Sequence, residues 1–595
     1  MRRTILSLFI TTLTMMELLS TPQINYRVSF PEPHTHYAEV LMHITGFREQ
    51  VLDIRMPSWT PGSYLLREFA KSVEQVSAMA DGKKVAYVRN DKNTWQFPVK
   101  GVKSLTVSYK VYAFEWSVRT SFIDADMAFL HQTSVFMMAE QLKNAPGTLE
   151  VQLPKNWKQV HVALPQARGN AETTANSHVF SFENYDALAD APLIAGNYQS
   201  ADFQVQGIPH TVAVVGPGNQ DMPAFVRDLK AICDTTTGIF GQHPSKSYLF
   251  IVLNTEAGGG GLEHANSCTV MMPRWQWNNP TRYKQFLGLC GHEYLHLWNV
   301  KRIRPEALGP FDYSKENHTD MLWVAEGITS YYDELILRRA GFYTREVYLD
   351  KMAAAINDLE QRPGRFYQTL AESSHDAWIR EYRPNENSRN TTISYYGKGQ
   401  VLAFLLDAMI TSRTSGARNL DDVMKGLWNL YLNRPERGFS NAEFYAMLDA
   451  VGGAGLGAEI RSLVESTETP DYKAILAKAG MDATNPGKTE TTLGISTALE
   501  NGRLLVKYVE RDLPGWKGGL NVNDELIAVD GRRTGNSLDE VNRLLTANQQ
   551  IQVLVSRSGM IRTLTLNPET VTRAAWKLEA QSAPAVQNIL NILLD

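Results

Sequence analysis

Between residues 24 and about 200 the chain alternates apolar and polar side chains over short runs. Examples are Tyr26-Arg27-Val28-Ser29-Phe30, Leu105-Thr106-Val107-Ser108-Tyr109 and Leu149-Glu150-Val151-Gln152-Leu153. A period of two sends successive side chains to opposite faces, so each run predicts a strand with one face buried. Gly and Pro punctuate the runs, and residues 22–200 read as an antiparallel β domain. The period then changes. Residues 223–239 predict a helix, and the apolar run 248–254 predicts a buried strand. Beyond Glu326 the pattern is mostly helical to about residue 479, which makes 201–481 a mainly α domain with a strand component. A Gly/Thr/Pro-containing linker is expected at 482–492. Alternation returns at 504–509, 551–555 and 563–566 around a helix at 537–545, which predicts a small β unit over 490–570. Residues 574–594 read as an amphipathic helix, within a last segment of 571–595. The fold class expected is multidomain α+β.

One pentad in the helical region carries chemistry. Residues 292–296 read His-Glu-Tyr-Leu-His. On a helix, His292 and His296 leave the same face about one turn apart. Two neutral imidazoles at that spacing can share one Zn²⁺, with Glu293 facing the open position. There the carboxylate can take a proton from water and pass it to a leaving amine. Leu287, Leu295, Leu297 and Trp298 supply an apolar surround, and Val300 and Pro305 bracket the expected helix end. Two ordinary hydrogen-bonded histidines are the alternative. Hydrolytic zinc sites use three protein ligands, and Glu326 is the candidate third. It follows His296 by 30 positions, room for a loop and a returning helix, and its flanks are apolar. A charge entering a core without a partner is costly, and a metal supplies one.

Glu-Gly-Ile-Thr-Ser-Tyr at 326–331, after such a helix, resembles the gluzincins, zinc peptidases whose third ligand is a glutamate. The longer run His-Glu-Tyr-Leu-His-Leu-Trp-Asn-Val-Lys-Arg-Ile-Arg-Pro at 292–305 is similar to the glycyl aminopeptidase family, gluzincins that carry a C-terminal PDZ domain. The resemblance implies a thermolysin-like, mainly α catalytic domain with an edge-strand sheet. It implies one Zn²⁺ per chain on His292, His296 and Glu326, with Glu293 as base and Asn299 placed to orient a ligand. Gly258-Gly259-Gly260-Gly261-Leu262-Glu263-His264, read alone, suits a flexible hairpin as well as a close backbone approach. It resembles the Gly-x-Met-Glu-Asn edge strand of zinc aminopeptidases. That likeness implies that Glu263 anchors the substrate's α-amine and that Gly260 and Gly261 line the substrate edge; His264 stands where that pattern has Asn. Tyr-x-Lys-Gly at 396–399 resembles the segment whose tyrosine donates to the tetrahedral oxyanion, which implies Tyr396, with Tyr395 the competitor.

Residues 518–531, Gly-Gly-Leu-Asn-Val-Asn-Asp-Glu-Leu-Ile-Ala-Val-Asp-Gly, resemble a bacterial-type PDZ domain, with Leu493-Gly494-Ile495 as its carboxylate-holding loop. The adjacent strand would then gain a peptide by β-augmentation, or the groove packs internally. Together these features imply a zinc aminopeptidase with a preference for small N-terminal residues such as glycine. The alternatives are a PDZ-regulated zinc endopeptidase, or a PDZ binding protein with an inactive peptidase domain.

Composition narrows the rest. At 595 residues the chain exceeds a single core. A net charge of −4 and the lack of a basic stripe with interleaved aromatics give no support to nucleic-acid binding. Cys233, Cys268 and Cys290 are too few and too scattered for a disulfide framework. Met1-Arg2-Arg3 followed by the mostly apolar stretch 4–19 has the layout of a signal peptide over 1–21, interrupted by Glu17. An exported, periplasmic or secreted protein is expected, a cytoplasmic one being the alternative. No later run approaches the ~20 apolar residues of a membrane span.

Overall fold

The computed structural model describes residues 21–167 and 176–595, so the expected signal peptide lies outside the described residues except for its last position. The chain divides into two units. The described parts of Met1–Pro57, Glu68–Trp116 and Thr120–Gly196 form the first, and Ser58–Arg67, Ser117–Arg119 and Asn197–Asp595 form the second. Two short segments that read as part of the β domain thus belong to the other unit.

In the first unit the period-two pattern becomes sheet. Tyr37–Thr45 and Ser104–Tyr112 bury every second side chain and pair antiparallel. They lie inside a seven-stranded sheet ordered Ser177–Phe182, Gly147–Gln152, Gln23–Ser29, Tyr37–Thr45, Ser104–Tyr112, Val73–Ala80, Lys83–Val85. One pair departs from the antiparallel expectation. Gln23–Ser29 and Gly147–Gln152 run parallel, an arrangement that needs a long crossover and that local alternation does not encode.

The second unit opens on a sheet ordered Gln199–Val205, Ile208–Val215, Tyr248–Thr255, Ser267–Pro273, Gly261–Glu263. Tyr248–Thr255 is buried at every position and runs parallel to both neighbours, as a continuous apolar run requires. Gly261–Glu263 is the antiparallel edge strand. The helix Pro280–Leu295, here the histidine helix, packs against this edge. Asn279 caps it by accepting from the Thr281 and Arg282 amides, with Pro280 in the first turn. It ends at Leu295, before the expected boundary at Val300. The amides of Leu297 and Trp298 turn back to carbonyls three residues earlier, Tyr294 and Leu295, and tighten the chain out of the α-helix.

Two further helices complete the layer. Ile328–Arg339 packs on the histidine helix, and Tyr395–Arg413 packs on Ile328–Arg339. The last two meet through glycines: a β-carbon on Gly327 would lie 2.5 Å from the Gly399 Cα. That contact brings Glu326 and the Tyr395-Tyr396 pair to one place.

The expected linker at 482–492 is instead two strands. Met481–Thr484 pairs with Lys577–Ala580, and Lys488–Thr492 pairs with Glu569–Arg573. Their partners lie some 80–100 positions away, beyond the reach of a local pattern. The final helix is correspondingly shorter, Pro584–Leu594, and buries Leu590, Leu593 and Leu594 in the core shared with Leu405 and Ile336. Between these strand pairs lies a C-terminal sheet ordered Ile495–Glu500, Arg503–Val509, Glu525–Val529, Ile551–Arg557, Met560–Leu566, with its own apolar core around Val506, Val541 and Val553. Asp524, fully buried, accepts two bonds from Arg557 at 2.8 and 2.7 Å.

Asn390 fastens this C-terminal sheet to the helical layer. Its Nδ2 donates to the Val509 carbonyl at 2.8 Å and to Asn387 Oδ1 at 3.0 Å. Its Oδ1 accepts from the Tyr508 hydroxyl at 2.7 Å and the Arg511 amide at 2.9 Å. Both amide hydrogens and both lone pairs are used in a buried position.

The Gly327–Gly399 contact yields a test. Gly327→Ala forces backbone apart in a filled core and is expected to lower stability by about 1–3 kcal/mol, read as a reduced unfolding midpoint in denaturant.

Candidate active site

A cavity of about 440 Å³ opens between the edge strand and the histidine helix, lined among others by Gly261, Glu263, His292, Glu293, His296, Glu326 and Tyr396. The helical spacing of His292 and His296 places their rings with centroids 4.7 Å apart. Glu326 comes from a π-helical turn, Trp323–Gly327, that opens the helix Ile328–Arg339; such turns occur frequently at functional sites. Its Oε2 lies 3.4 Å from His292 Nε2 and 3.2 Å from His296 Nε2. These three side chains form one cluster able to hold a metal ion; Glu263, Glu293 and His296 form a second.

The far side of each imidazole sets its orientation. His292 Nδ1 faces Asp333 Oδ2 at 3.3 Å, and His296 Nδ1 faces the Asn299 carbonyl. A hydrogen on each Nδ1 leaves both Nε2 lone pairs turned towards the Glu326 carboxylate. Three electron-rich atoms then converge on one point, a geometry that a cation satisfies. Asn299, fully buried, acts on the Glu326 turn as well. Its Nδ2 reaches the carbonyls of Val324 and Ala325 and the Thr329 hydroxyl, at 2.8, 3.2 and 3.1 Å, so one amide ties the turn after the histidine helix to the turn carrying Glu326.

Electrostatics separate the carboxylates. Burial pushes Glu293 up, reinforced by Glu263 and Glu326 and opposed by His292 and His296, to about 7. Burial acts on Glu326 too, but the two imidazoles outweigh it and hold that carboxyl below its usual range. Burial lowers His292, yet Asp333 and Glu326 outweigh it and raise the ring well above its ordinary value. The surroundings therefore favour positive charge where Glu326 and the two imidazoles converge, and a carboxyl at Glu293 that exchanges a proton near neutrality.

Glu293 reaches the edge strand directly. A β-carbon on Gly261 would sit 2.0 Å from Glu293 Oε1, so glycine is what lets this strand close over the helix. Glu263 is buried at the strand's end, and among the described residues neither its Oε1 nor Glu293 Oε2 has a hydrogen-bond partner. Gly62, at φ +85°, leaves the Glu263 carboxylate room that any side chain would fill. Of the two tyrosines, Tyr396 lines the cavity, its ring 6.4 Å from that of His292, whereas Tyr395 is wholly buried behind it. The Tyr396 hydroxyl is 3.5 Å from that of Tyr382, which donates to the Gly62 carbonyl. Gly260 precedes the edge strand, with its carbonyl accepting from the Met271 amide.

Residues missed in the sequence also meet here. Asp333 follows Glu326 by seven positions, two turns along one helix face, and that spacing was a readable signal. Arg119, Gly62 and the pair Glu334–Lys351, with an N···O distance of 3.4 Å, carried none. The three cysteines are free thiols buried in the core.

Comparison with known proteins accords with this geometry. Residues 25–197 match the Peptidase M61 N-terminal domain, and residues 285–402 match the M61 glycyl aminopeptidase model. The chain is similar to an aminopeptidase N family protein from Idiomarina loihiensis, at 27% identity and a TM-score of 0.87, over 95% of this chain and 100% of that one. Its fold is also like that of a mutant M1 zinc metallopeptidase from Deinococcus radiodurans, at 13% identity and a TM-score of 0.50, over 76% of this chain and 95% of that one. No curated protein sequence matches it. The chain is a metallopeptidase of aminopeptidase type. Two of its segments, 25–197 and 285–402, match M61 peptidase models.

Asn299→Ala removes the donor of three buried acceptors. It is expected to lower stability by about 1–3 kcal/mol, measured by chemical denaturation, whereas Leu297→Met, an apolar swap next to the same turn, should cost less.

Proposed function

We propose that this protein is a zinc-dependent aminopeptidase that removes the first residue of a peptide and favours small ones, glycine above all. The observation that carries the reading is the placement of Glu263. Its buried carboxylate, with Oε1 unpartnered among the described residues, stands at the end of the edge strand whose Gly261 lies over Glu293. His292, His296 and Glu326 would hold one Zn²⁺. When bound, the ion polarises the scissile carbonyl and lowers the pKa of water.

The chain's own groups do the rest. Glu263 takes the substrate's α-ammonium and so fixes which bond lies opposite Glu293, an orientation effect as much as an affinity effect. Gly260 and Gly261 leave the strand edge open to the peptide backbone. Glu293 accepts a proton from the attacking water at Oε2 and returns it to the amine that leaves. The Tyr396 hydroxyl donates to the oxyanion, an interaction that exists only once charge has developed there. Asp333 and Asn299 hold the imidazoles in the required tautomer. The preference for small residues rests on the family resemblance, and export to the periplasm on the charged and then apolar layout of residues 1–21.

The C-terminal sheet reads as a PDZ domain. Ile495–Glu500 is the terminal strand in its order, with one edge unpaired among the described residues, and continues from the Leu493-Gly494-Ile495 loop. An extended peptide added there would use backbone hydrogen bonds.

Two outcomes test the enzyme. Glu293→Gln in metal-loaded protein is expected to lower kcat roughly 10²–10⁴-fold; peptide hydrolysis at the wild-type rate would sink the mechanism. Acetylating the N-terminus of a good substrate should abolish cleavage, and an acetylated peptide cut as fast as the free one would make the protein an endopeptidase. Chelation should remove activity and one equivalent of zinc restore it, while protein purified without stoichiometric zinc would point to a binding protein instead.

A further inference from the structure

The cavity holds more charge than the proposed mechanism uses. Five carboxylates face it, Glu263, Glu293, Glu326, Asp333 and Glu334. Of its two long cations, Lys351 is matched with Glu334 at 3.4 Å. The other is Arg119, from the segment Ser117–Arg119 that belongs to the catalytic unit. Its Nη2 donates to the Gly261 carbonyl at 3.3 Å, and its Nε is buried without a hydrogen-bond partner among the described residues. No carboxylate among the described residues pairs with it. Its backbone is held in turn by a bond from the Arg119 amide to the Ser117 hydroxyl at 3.2 Å.

A planar guanidinium with donors to spare, beside a substrate cleft, is shaped for bidentate capture of a carboxylate. Its position gives the distance from the amine anchor. Gly261, which Arg119 touches, is two residues along the edge strand from Glu263, or ~7 Å at the rise of an extended chain. Two residues of extended substrate span about the same length. An ammonium on Glu263 therefore leaves the free carboxylate of a very short peptide near Arg119.

We propose that Arg119 binds the substrate's C-terminal carboxylate, so that the substrate class of this site is free peptides of two or three residues. The proposal rests on the aminopeptidase reading for the direction of the chain. A zwitterionic peptide complements the cleft at both ends, with its cation on Glu263 and its anion on Arg119. Longer chains or C-terminal amides lose the second contact.

The test compares a dipeptide carrying the best-cleaved N-terminal residue with its C-terminal amide. Wild-type enzyme should prefer the free acid. In Arg119→Ala the acid-to-amide ratio of kcat/KM should fall roughly ten- to a hundredfold, chiefly through KM, as expected for losing a charge-assisted hydrogen bond. Arg119→Lys should recover part of the ratio. An unchanged ratio, or equal losses on acid and amide, would overturn the proposal and leave Arg119 a support for the edge strand. The same ratio in Kd, by calorimetry on metal-loaded Glu293→Gln protein with and without Arg119→Ala, judges Arg119 without turnover. A wild-type enzyme that cleaved neither peptide would thus count against the aminopeptidase reading, while the calorimetric ratio would still decide for or against Arg119.

Discussion

Buried negative charge must be answered by positive charge, and the catalytic unit is organised around that demand. Glu326 lies within 3.4 Å of two imidazoles, Asp333 stands behind one of them, and Glu293 lies between the ligand cluster and the strand. In a low-dielectric interior no member of this group is tolerable alone. The apolar core that surrounds the histidine helix is therefore a condition of the chemistry as well as of the fold. It removes the water that would otherwise solvate these groups, and leaves the imidazoles and an ion to do so.

Holding such groups at fixed distances falls to a few uncharged contacts. Gly327 against Gly399 fixes how closely the Glu326 turn approaches the Tyr396 helix. Gly261 fixes how closely the edge strand approaches Glu293. Asn299 joins the His296 turn to the Glu326 turn with one amide. Each brings backbone to backbone or backbone to carboxylate, and each is specified by the absence of a side chain or by a short polar one.

What the sequence made legible follows from this division. His292, Glu293 and His296 are four residues apart at most, and helix geometry alone places them together. Glu326 was found because a lone acid among apolar residues needs an explanation. Tyr396 and Glu263 were named only through family resemblance; the strand edge and the helix entry that place them on the cavity depend on pairings no local pattern encodes. Arg119 and Gly62 are farther still, reaching the cavity from segments embedded in β-type alternation. The strands at 481–484 and 488–492 have the local composition of a linker for the same reason, since only their distant partners make them strands. The short period of a helix carries its own evidence, whereas sheet edges and long crossovers do not.

The Asn390 amide has a consequence for when the enzyme is assembled. It sits six residues before Tyr396, and three of its four hydrogen bonds go to groups 118 to 121 positions later in the chain. A ribosome delivers the histidines, the glutamates and the tyrosine well before it delivers Tyr508, Val509 and Arg511. Until those arrive, the segment leading to Tyr396 lacks its buried anchor. The nascent chain can therefore fold its His/Glu cluster early while Tyr396 waits for the C-terminal sheet, which delays a finished site until most of the polypeptide has been made.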